Sequence, residues 1–285
     1  MNKEIVLKLS CPDQPGIAAL VLTFFAENGY NIVESSQHED PYNQTFFMRT
    51  VFSCPKDSIA LNDLENDFGN TVGHLGMNWE MRDTSNKLRV LIAVSNWGHC
   101  LDKLLATWHR GQLPIDIVGI VSNHESQKET ASWYKIPFHY FPITKETKPQ
   151  QEKQILDCME EKNAELLVLA RYMRILSDDM CKSLAGNAIN IHHSFLPGFK
   201  GAKPYHQAYD RGVKLIGATA HFVTSDLDEG PIIEQGVDRI THANSPEELV
   251  EIGRDIETVV LNRAVRWHAE GRVILNGKRT VVFRR

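Results

Sequence analysis

Leu88-Arg89-Val90-Leu91-Ile92-Ala93-Val94 is a nearly continuous apolar run, the pattern of a strand buried on both faces. Working outward, Trp97–Arg110 reads as a helix and Ile115–Val121 as a second buried strand ending in Ser122-Asn123-His124. A short helix over Gln127–Tyr134, a strand over Phe138–Phe141, a helix over Gln150–Lys162 and a strand over Leu166–Ala170 follow. Asp178–Leu184 is a further helix before a fifth strand, Ala188–Ile191. Strands alternating with helices imply a parallel sheet covered on both faces, a doubly wound α/β fold. Ligands of such folds bind beyond the carboxyl ends of the strands, so the residues that follow each strand carry the chemistry.

After the fifth strand stands Asn190-Ile191-His192-His193-Ser194-Phe195-Leu196-Pro197. Asn190 and His192 are two apart, so on an extended chain they point the same way, and His193 points to the other side. A helix over Lys203–Gly212 and a strand over Leu215–Val223 lead to Thr224-Ser225-Asp226-Leu227-Asp228-Glu229-Gly230-Pro231, then a strand over Ile232–Gln235. An amide donates hydrogen bonds to a developing oxyanion, a histidine moves a proton, and a carboxylate orients the histidine or holds a water. Together they suit acyl-group chemistry without a covalent nucleophile. Ser245–Ala269 is a long helix with Ser245 and Glu248 as a capping box. Val273–Leu275 and Thr280–Phe283 form a hairpin around Asn276-Gly277. Both read as scaffold.

Ahead of residue 88 the pattern differs. Glu4–Leu9 reads as a strand, and Asp13 and Pro15 suit the start of a helix. Ile17, Leu20, Val21, Phe24 and Phe25 form one apolar face of that helix, which closes at Asn28-Gly29. Tyr30–Gln37 and Gln44–Phe52 are strands around the polar turn Asp40–Asn43; Ser58–Gly73 is a helix and Met77–Met81 a strand. The order β-α-β-β-α-β is that of a ferredoxin-like sandwich. This segment, with Asp13-Gln14-Pro15-Gly16-Ile17 in its first turn, resembles an ACT domain. The resemblance implies a regulatory module that pairs into a homo-oligomer and takes an amino-acid effector near that turn; a plain turn without ligand uses the same residues.

The chain has 285 residues, with 31 basic and 36 acidic side chains and a net charge of −5, which does not favour a general nucleic-acid binder. Residues 1–84 hold 5 basic and 12 acidic side chains, residues 85–285 the other 26 and 24, and such an asymmetry marks a boundary. Arg82–Lys87 reads as the linker, giving domains 1–84 and 85–285. The apolar stretch Ile17–Ala26 is about half of a membrane span, and no secretory signal is expected at the start. The five cysteines (Cys11, Cys54, Cys100, Cys158, Cys181) show no C-x-x-C spacing, as for reduced thiols in a cytoplasmic protein.

Residues 88–285 resemble the formyltransferase family that uses 10-formyltetrahydrofolate. The matching motifs are Asn190-Ile191-His192-x-Ser194-x-Leu196-Pro197, Gly198-x-Lys200-Gly201, Leu227-Asp228-x-Gly230-Pro231 and Ala170-Arg171-Tyr172-Met173-Arg174-Ile175-Leu176. The resemblance implies Asn190, His192 and Asp228 as the catalytic trio, and Met173, Arg174, Ile175 and Leu176 beside the pterin of the folate, which is substrate and not cofactor. Glycinamide ribonucleotide transformylase is similar but carries a Gly-rich phosphate turn after its first strand. Here that turn is Ala93-Val94-Ser95-Asn96-Trp97-Gly98-His99, with one glycine and a bulky Trp97. Loss of that handle, and the ACT-like module, imply that water receives the formyl group. The products would be formate and tetrahydrofolate, with the formate feeding purine synthesis or balancing one-carbon pools. Transfer to an amine and a non-catalytic sensing role are the rival readings.

Other residues keep two readings. Asn190 and His192 suit strand ends that satisfy backbone groups, but the surrounding motif favours function. His192, His193, His206 and His221 lie close in sequence but lack zinc spacing, so no metal is expected. His221 suits a packed strand, and Asp226 is a substitute for Asp228. Lys200 and Lys203 are surface lysines or contacts to a folate glutamate tail, and Gly198 and Gly201 shape their loop. Arg171 and Arg174 are ion-paired or steer an anionic folate. No membrane or nucleic-acid partner is expected.

Overall fold

The computed structural model describes residues 3–55, 60–198 and 204–284. Lys200, Gly201 and Lys203, and the Ser58 start expected for one helix, lie outside them. The chain divides into two compact units. One is Met1–Lys87 with Trp267–Asn276 and Thr280–Arg285; the other is Leu88–Arg266 with Gly277–Arg279. No helix among the described residues is long and apolar enough to cross a membrane.

The first unit contains β1 (Lys3–Pro12), α1 (Ile17–Glu27), β2 (Asn31–Asp40), β3 (Thr45–Cys54), α2 (Leu61–Val72) and β4 (Asn78–Asp83). Its antiparallel sheet has the order β2-β3-β1-β4, the ferredoxin-like arrangement. Ile17, Val21, Phe24 and Phe25 of α1 are buried on it, and Phe25 stacks on Phe52 with centroids 4.1 Å apart. Two expectations change here. Asp13 does not cap α1: its backbone N–H donates to the Gln44 carbonyl at 2.8 Å, continuing the β1–β3 pairing. The residue before α1 is Gly16, in a left-handed conformation at φ 95° that L side chains rarely adopt, so the turn selects glycine there instead of an acidic cap. Arg82 and Asp83 belong to β4, which shortens the linker to the turn that follows.

The second unit contains β5 (Leu88–Val94), α3 (His99–His109), β6 (Ile115–Ser122), α4 (Lys128–Trp133), β7 (Phe138–Tyr140), α5 (Lys148–Glu161) and β8 (Leu166–Leu169). These are followed by α6 (Asp178–Ser183), β9 (Ala188–His192), α7 (Pro204–Asp210), β10 (Leu215–Phe222), β11 (Ile232–Arg239) and α8 (Pro246–Ala269). The sheet order is β11-β10-β9-β8-β5-β6-β7. Strands β5 to β9 run parallel. The chain builds outward from β5 to β7 and then crosses back to β8 on the other side of β5, which makes a switch point between β5 and β8. Strands β10 and β11 are antiparallel to their neighbours, an edge that the sequence pattern did not distinguish from a parallel one. The Ser245–Glu248 capping box forms as expected: Ser245 N–H donates to Glu248 Oε2 at 2.7 Å and Glu248 N–H to Ser245 Oγ at 3.2 Å.

The C-terminal strands β12 (Val273–Asn276) and β13 (Arg279–Val282) form a separate hairpin. Ile274 and Phe283 pack on Phe47 of β3. Arg272 is 1% exposed and bidentate to Glu34 at 3.0 and 3.2 Å; its Nε meets Glu270 Oε2 at 2.6 Å. Arg49 pairs with the same Glu34 at 3.0 Å and donates through Nη2 to the Glu270 carbonyl at 3.0 Å. The hydrogen bond from Arg272 outweighs the opposing effect of burial and, with both guanidinium charges, holds the Glu34 carboxyl below its ordinary value. The C-terminal segment is therefore tied to the N-terminal sheet by charge as well as by apolar contact. Glu34→Gln leaves two buried guanidinium groups without their shared anion. It should lower unfolding stability by about 2–3 kcal/mol, measured by urea denaturation at neutral pH.

Candidate active site

The loops after the parallel strands β5, β8 and β9 meet the β10–β11 loop around a cleft of about 700 Å³ at the carboxyl ends of those parallel strands. Asn190, His192 and Asp228 line it together, as do Met173, Arg174 and Ile175. Met173 and Ile175 are 49% and 62% exposed, an unusual exposure for apolar side chains and one that suits a flat apolar ligand. Leu176 departs from them: it is buried in the core beneath and lines only a small adjoining cavity. The Tyr172–Met173 turn is fastened to the switch point by Ser95, whose Oγ accepts from Met173 N–H at 3.0 Å and donates to Asn123 Oδ1 at 2.7 Å. The turn after β5 is filled by its own protein: Arg254 lies 4.4 Å over the Trp97 ring, and a Cβ on Gly98 would lie 2.5 Å from Gln127 Oε1.

Backbone geometry places the trio. Asn190 and His192 stand on one face of β9, opposite His221 and Thr219 of β10 in the antiparallel ladder. The β10–β11 connection turns back to bring Asp228 over them. Asp228 adopts φ 58°, a left-handed conformation that Asp tolerates better than most residues. A Cβ on Gly230 would fall 1.7 Å from the Phe222 carbonyl oxygen, so the Asp-x-Gly-Pro spacing follows from that close approach. Asp226 points out to solvent and does not line the cleft.

Hydrogen bonds fix the state of each group. His192 Nδ1 lies 3.1 Å from Asp228 Oδ1, so in the neutral ring Nδ1 carries the proton and Nε2 is the acceptor. That Nε2 is buried and makes no hydrogen bond among the described residues. Burial opposes ionisation of Asp228, but the His192 hydrogen bond and the surrounding imidazoles outweigh it and hold the carboxyl below its ordinary value. His221 donates from Nδ1 to the Phe222 carbonyl at 2.8 Å, which leaves its Nε2 to accept from Asn190 Nδ2 at 3.3 Å. Burial lowers the His221 pKa and favours this neutral form. The Asn190 amide is thus oriented by His221, with a second N–H left on Nδ2.

Sequence reasoning left His221 open and did not single out Glu257, His99 or Tyr205. Glu257 is 1% exposed on the buried face of α8, accepts from the Tyr205 hydroxyl at 2.8 Å, meets His99 Nε2 at 2.8 Å and lines the cleft. A carboxylate in the apolar stripe Leu249, Gly253, Glu257, Val260, Leu261 was the available signal. His99, Cys100 and Glu257 converge closely enough to suggest a cation. Arg171 Nε, however, lies 3.4 Å from that carboxylate, and burial raises the Cys100 pKa well above its ordinary value, which keeps the thiol protonated. The donor set suits ion pairing better than a metal.

Fold and site define a class first: a doubly wound enzyme domain with the formyltransferase arrangement, joined to a ferredoxin-like module. The formyl transferase family matches residues 88–265 and the ACT domain residues 5–69. The formyltetrahydrofolate deformylase of Corynebacterium sp. (strain P-1) is 48% identical over all of both chains. That of Bacillus subtilis is 46% identical, over 97% of this chain and 93% of its own. The crystal structure of formyltetrahydrofolate deformylase from Burkholderia mallei superposes with a TM-score of 0.94 at 50% identity, over 99% of this chain and 100% of that one. The chain belongs to the formyltetrahydrofolate deformylase family.

Gly253 tests the packing behind the cleft. A Cβ there would lie 2.0 Å from the Tyr205 ring. Gly→Ala inside a helix ordinarily gains about 0.5–1 kcal/mol. Gly253→Ala should instead lower the melting temperature, because Tyr205 must leave Glu257.

Proposed function

We propose that the protein hydrolyses 10-formyltetrahydrofolate to tetrahydrofolate and formate, with Asn190, His192 and Asp228 performing the chemistry. The observation that carries this reading is the buried, bare Nε2 of His192 at the cleft, held in that tautomer by Asp228 and set beside the Asn190 amide. Water attacks the formyl carbon while His192 Nε2 takes its proton. Asn190 Nδ2–H donates to the oxygen that becomes the oxyanion, and Asp228 stabilises the imidazolium. Collapse of the tetrahedral intermediate breaks the bond between carbon and N10, and His192 returns the proton to the departing nitrogen. Met173, Arg174 and Ile175 face the pterin, with Leu176 supporting them from below. Water as acceptor agrees with the turn after β5, where Trp97 and Gln127 occupy the approach to the backbone amides.

The catalytic machinery falls to the domain matched over 88–265, and the ACT module, with an amino acid as effector, regulates it in a cytoplasmic homo-oligomer. Formate made here would supply purine synthesis or balance one-carbon pools.

Incubation with 10-formyltetrahydrofolate and no amine should release formate; release only after an amine is added would favour the transferase. Asn190→Ala should reduce kcat by about two to three orders of magnitude with the fold intact, the usual cost of one oxyanion donor. His221→Leu should reduce kcat by about ten- to hundredfold with little change in KM, because the amide is misaimed and not removed. His221→Gln, whose carbonyl oxygen accepts from Asn190, should recover part of that loss.

A further inference from the structure

Side chains from five places in the second unit converge behind the catalytic strand. Glu257 of α8 meets His99 Nε2 at the start of α3, the Tyr205 hydroxyl of α7 and, at 3.4 Å, Arg171 Nε after β8. Burial opposes ionisation of Glu257, but the His99 hydrogen bond and the Arg171 charge outweigh it, so the carboxyl sits below its ordinary value. Arg171 in turn donates through Nη1 to Nδ1 of His193. A guanidinium carries donors only, so Nδ1 must be the accepting nitrogen and the ring proton stands on Nε2. The His193 ring lies nearly parallel to that of His192, with centroids 5.0 Å apart and planes at 19°.

We propose that this network is a lock on His193. Arg171, braced by Glu257, fixes the ring in its Nε2–H form, and the locked His193 is a positioning residue that keeps an uncharged imidazole stacked on the base His192. The proposal rests on the reading of His192 as the base. Two imidazoles in such contact compete for one proton, and a charge on His193 would oppose formation of the imidazolium on His192. The groups facing His193 are Arg171 after β8, His192 of β9, Asp228 of the β10–β11 loop, Glu257 of α8 and the Tyr205 ring of α7. Burial, Arg171 and His192 push its pKa down to about 3, against the pull of Glu257 and Asp228. A buried ion-paired cluster adds little net stability, which makes a positioning role a reason for its presence.

Two measurements on the full-length protein test this. Imidazole nitrogen NMR between pH 5 and 8 should show His193 protonated on Nε2 and not titrating; a proton on Nδ1, or a midpoint near the ordinary value of about 6.5, overturns the proposal. The second compares kcat for formate release at pH 8 and pH 5.5. In Arg171→Met the ratio should exceed that of the unmodified protein by about tenfold, the loss of neutral fraction at pH 5.5 for an imidazole of ordinary pKa. His193→Phe added to Arg171→Met should restore the ratio. An unchanged ratio in Arg171→Met overturns the proposal, and so does a raised ratio that persists in the double variant, whose phenyl ring cannot titrate. Melting curves show whether a variant folds, and if Arg171→Met does not, the NMR result on the unmodified protein decides. If the unmodified protein releases no formate, the hydrolase reading fails, while the NMR still decides the lock.

Discussion

The antiparallel pairing of β10 on β9 is the constraint on which the site depends. It sets His221 across from Asn190 and Thr219 across from His192. A slip of β10 by one residue would turn His221 and Thr219 to the opposite face from Asn190 and His192. The register is reinforced from the side: Thr219 Oγ1 donates to the Ser194 carbonyl at 2.9 Å and accepts from Leu196 N–H at 3.1 Å. The Gln235 amide of β11 reaches both Thr219 Oγ1 and the Leu196 carbonyl at 3.0 Å. The loop after β9 is thus held by strands β10 and β11, and the β10–β11 turn that carries Asp228 hangs from the same pair. Pocket wall and the groups proposed for catalysis share one support.

Polar groups in this region are buried at a cost that hydrogen bonding must offset. His221 satisfies both ring nitrogens, and Glu257 is met by three partners. His192 Nε2 stands apart as a buried acceptor without a protein partner among the described residues. Of the cleft-lining residues described, Arg171 Nε is the other buried polar atom without a hydrogen bond, and of the two only the imidazole nitrogen can accept a proton. The surrounding hydrogen bonds serve to define tautomers, which a neutral imidazole cannot do for itself.

The first unit is held by a different balance of forces. An aromatic cluster around Phe25, Phe52 and Phe68 fills its core, while Arg49, Glu34, Arg272 and Glu270 form a charged seam with the C-terminal segment. The excess of acid in residues 1–84 is thereby reduced within the unit, since Arg272 and Arg284 belong to it. A charge count along the chain placed these residues with the second domain because sequence distance, and not contact, was all that it measured.

Strand and helix order, the apolar faces of α1 and of the buried strands, the capping box of α8 and the motif around Asn190, His192 and Asp228 were all legible in the sequence. Each depends on local periodicity or on a short motif. The start of α1 was misread because Asp13 suits a cap locally, whereas strand pairing claims its backbone. His221, Glu257, His99, Tyr205 and the Arg171–His193 contact were not legible, since their partners lie 22 to 158 residues away. The sequence by itself determined the two-module plan and the chemical groups offered at the strand ends, because backbone periodicity and turn chemistry act over a few residues. Only the tertiary structure decided which ring nitrogens of His192, His193 and His221 face a partner and where the C-terminal hairpin belongs. Both are settled by contacts between groups that only the folded chain brings together.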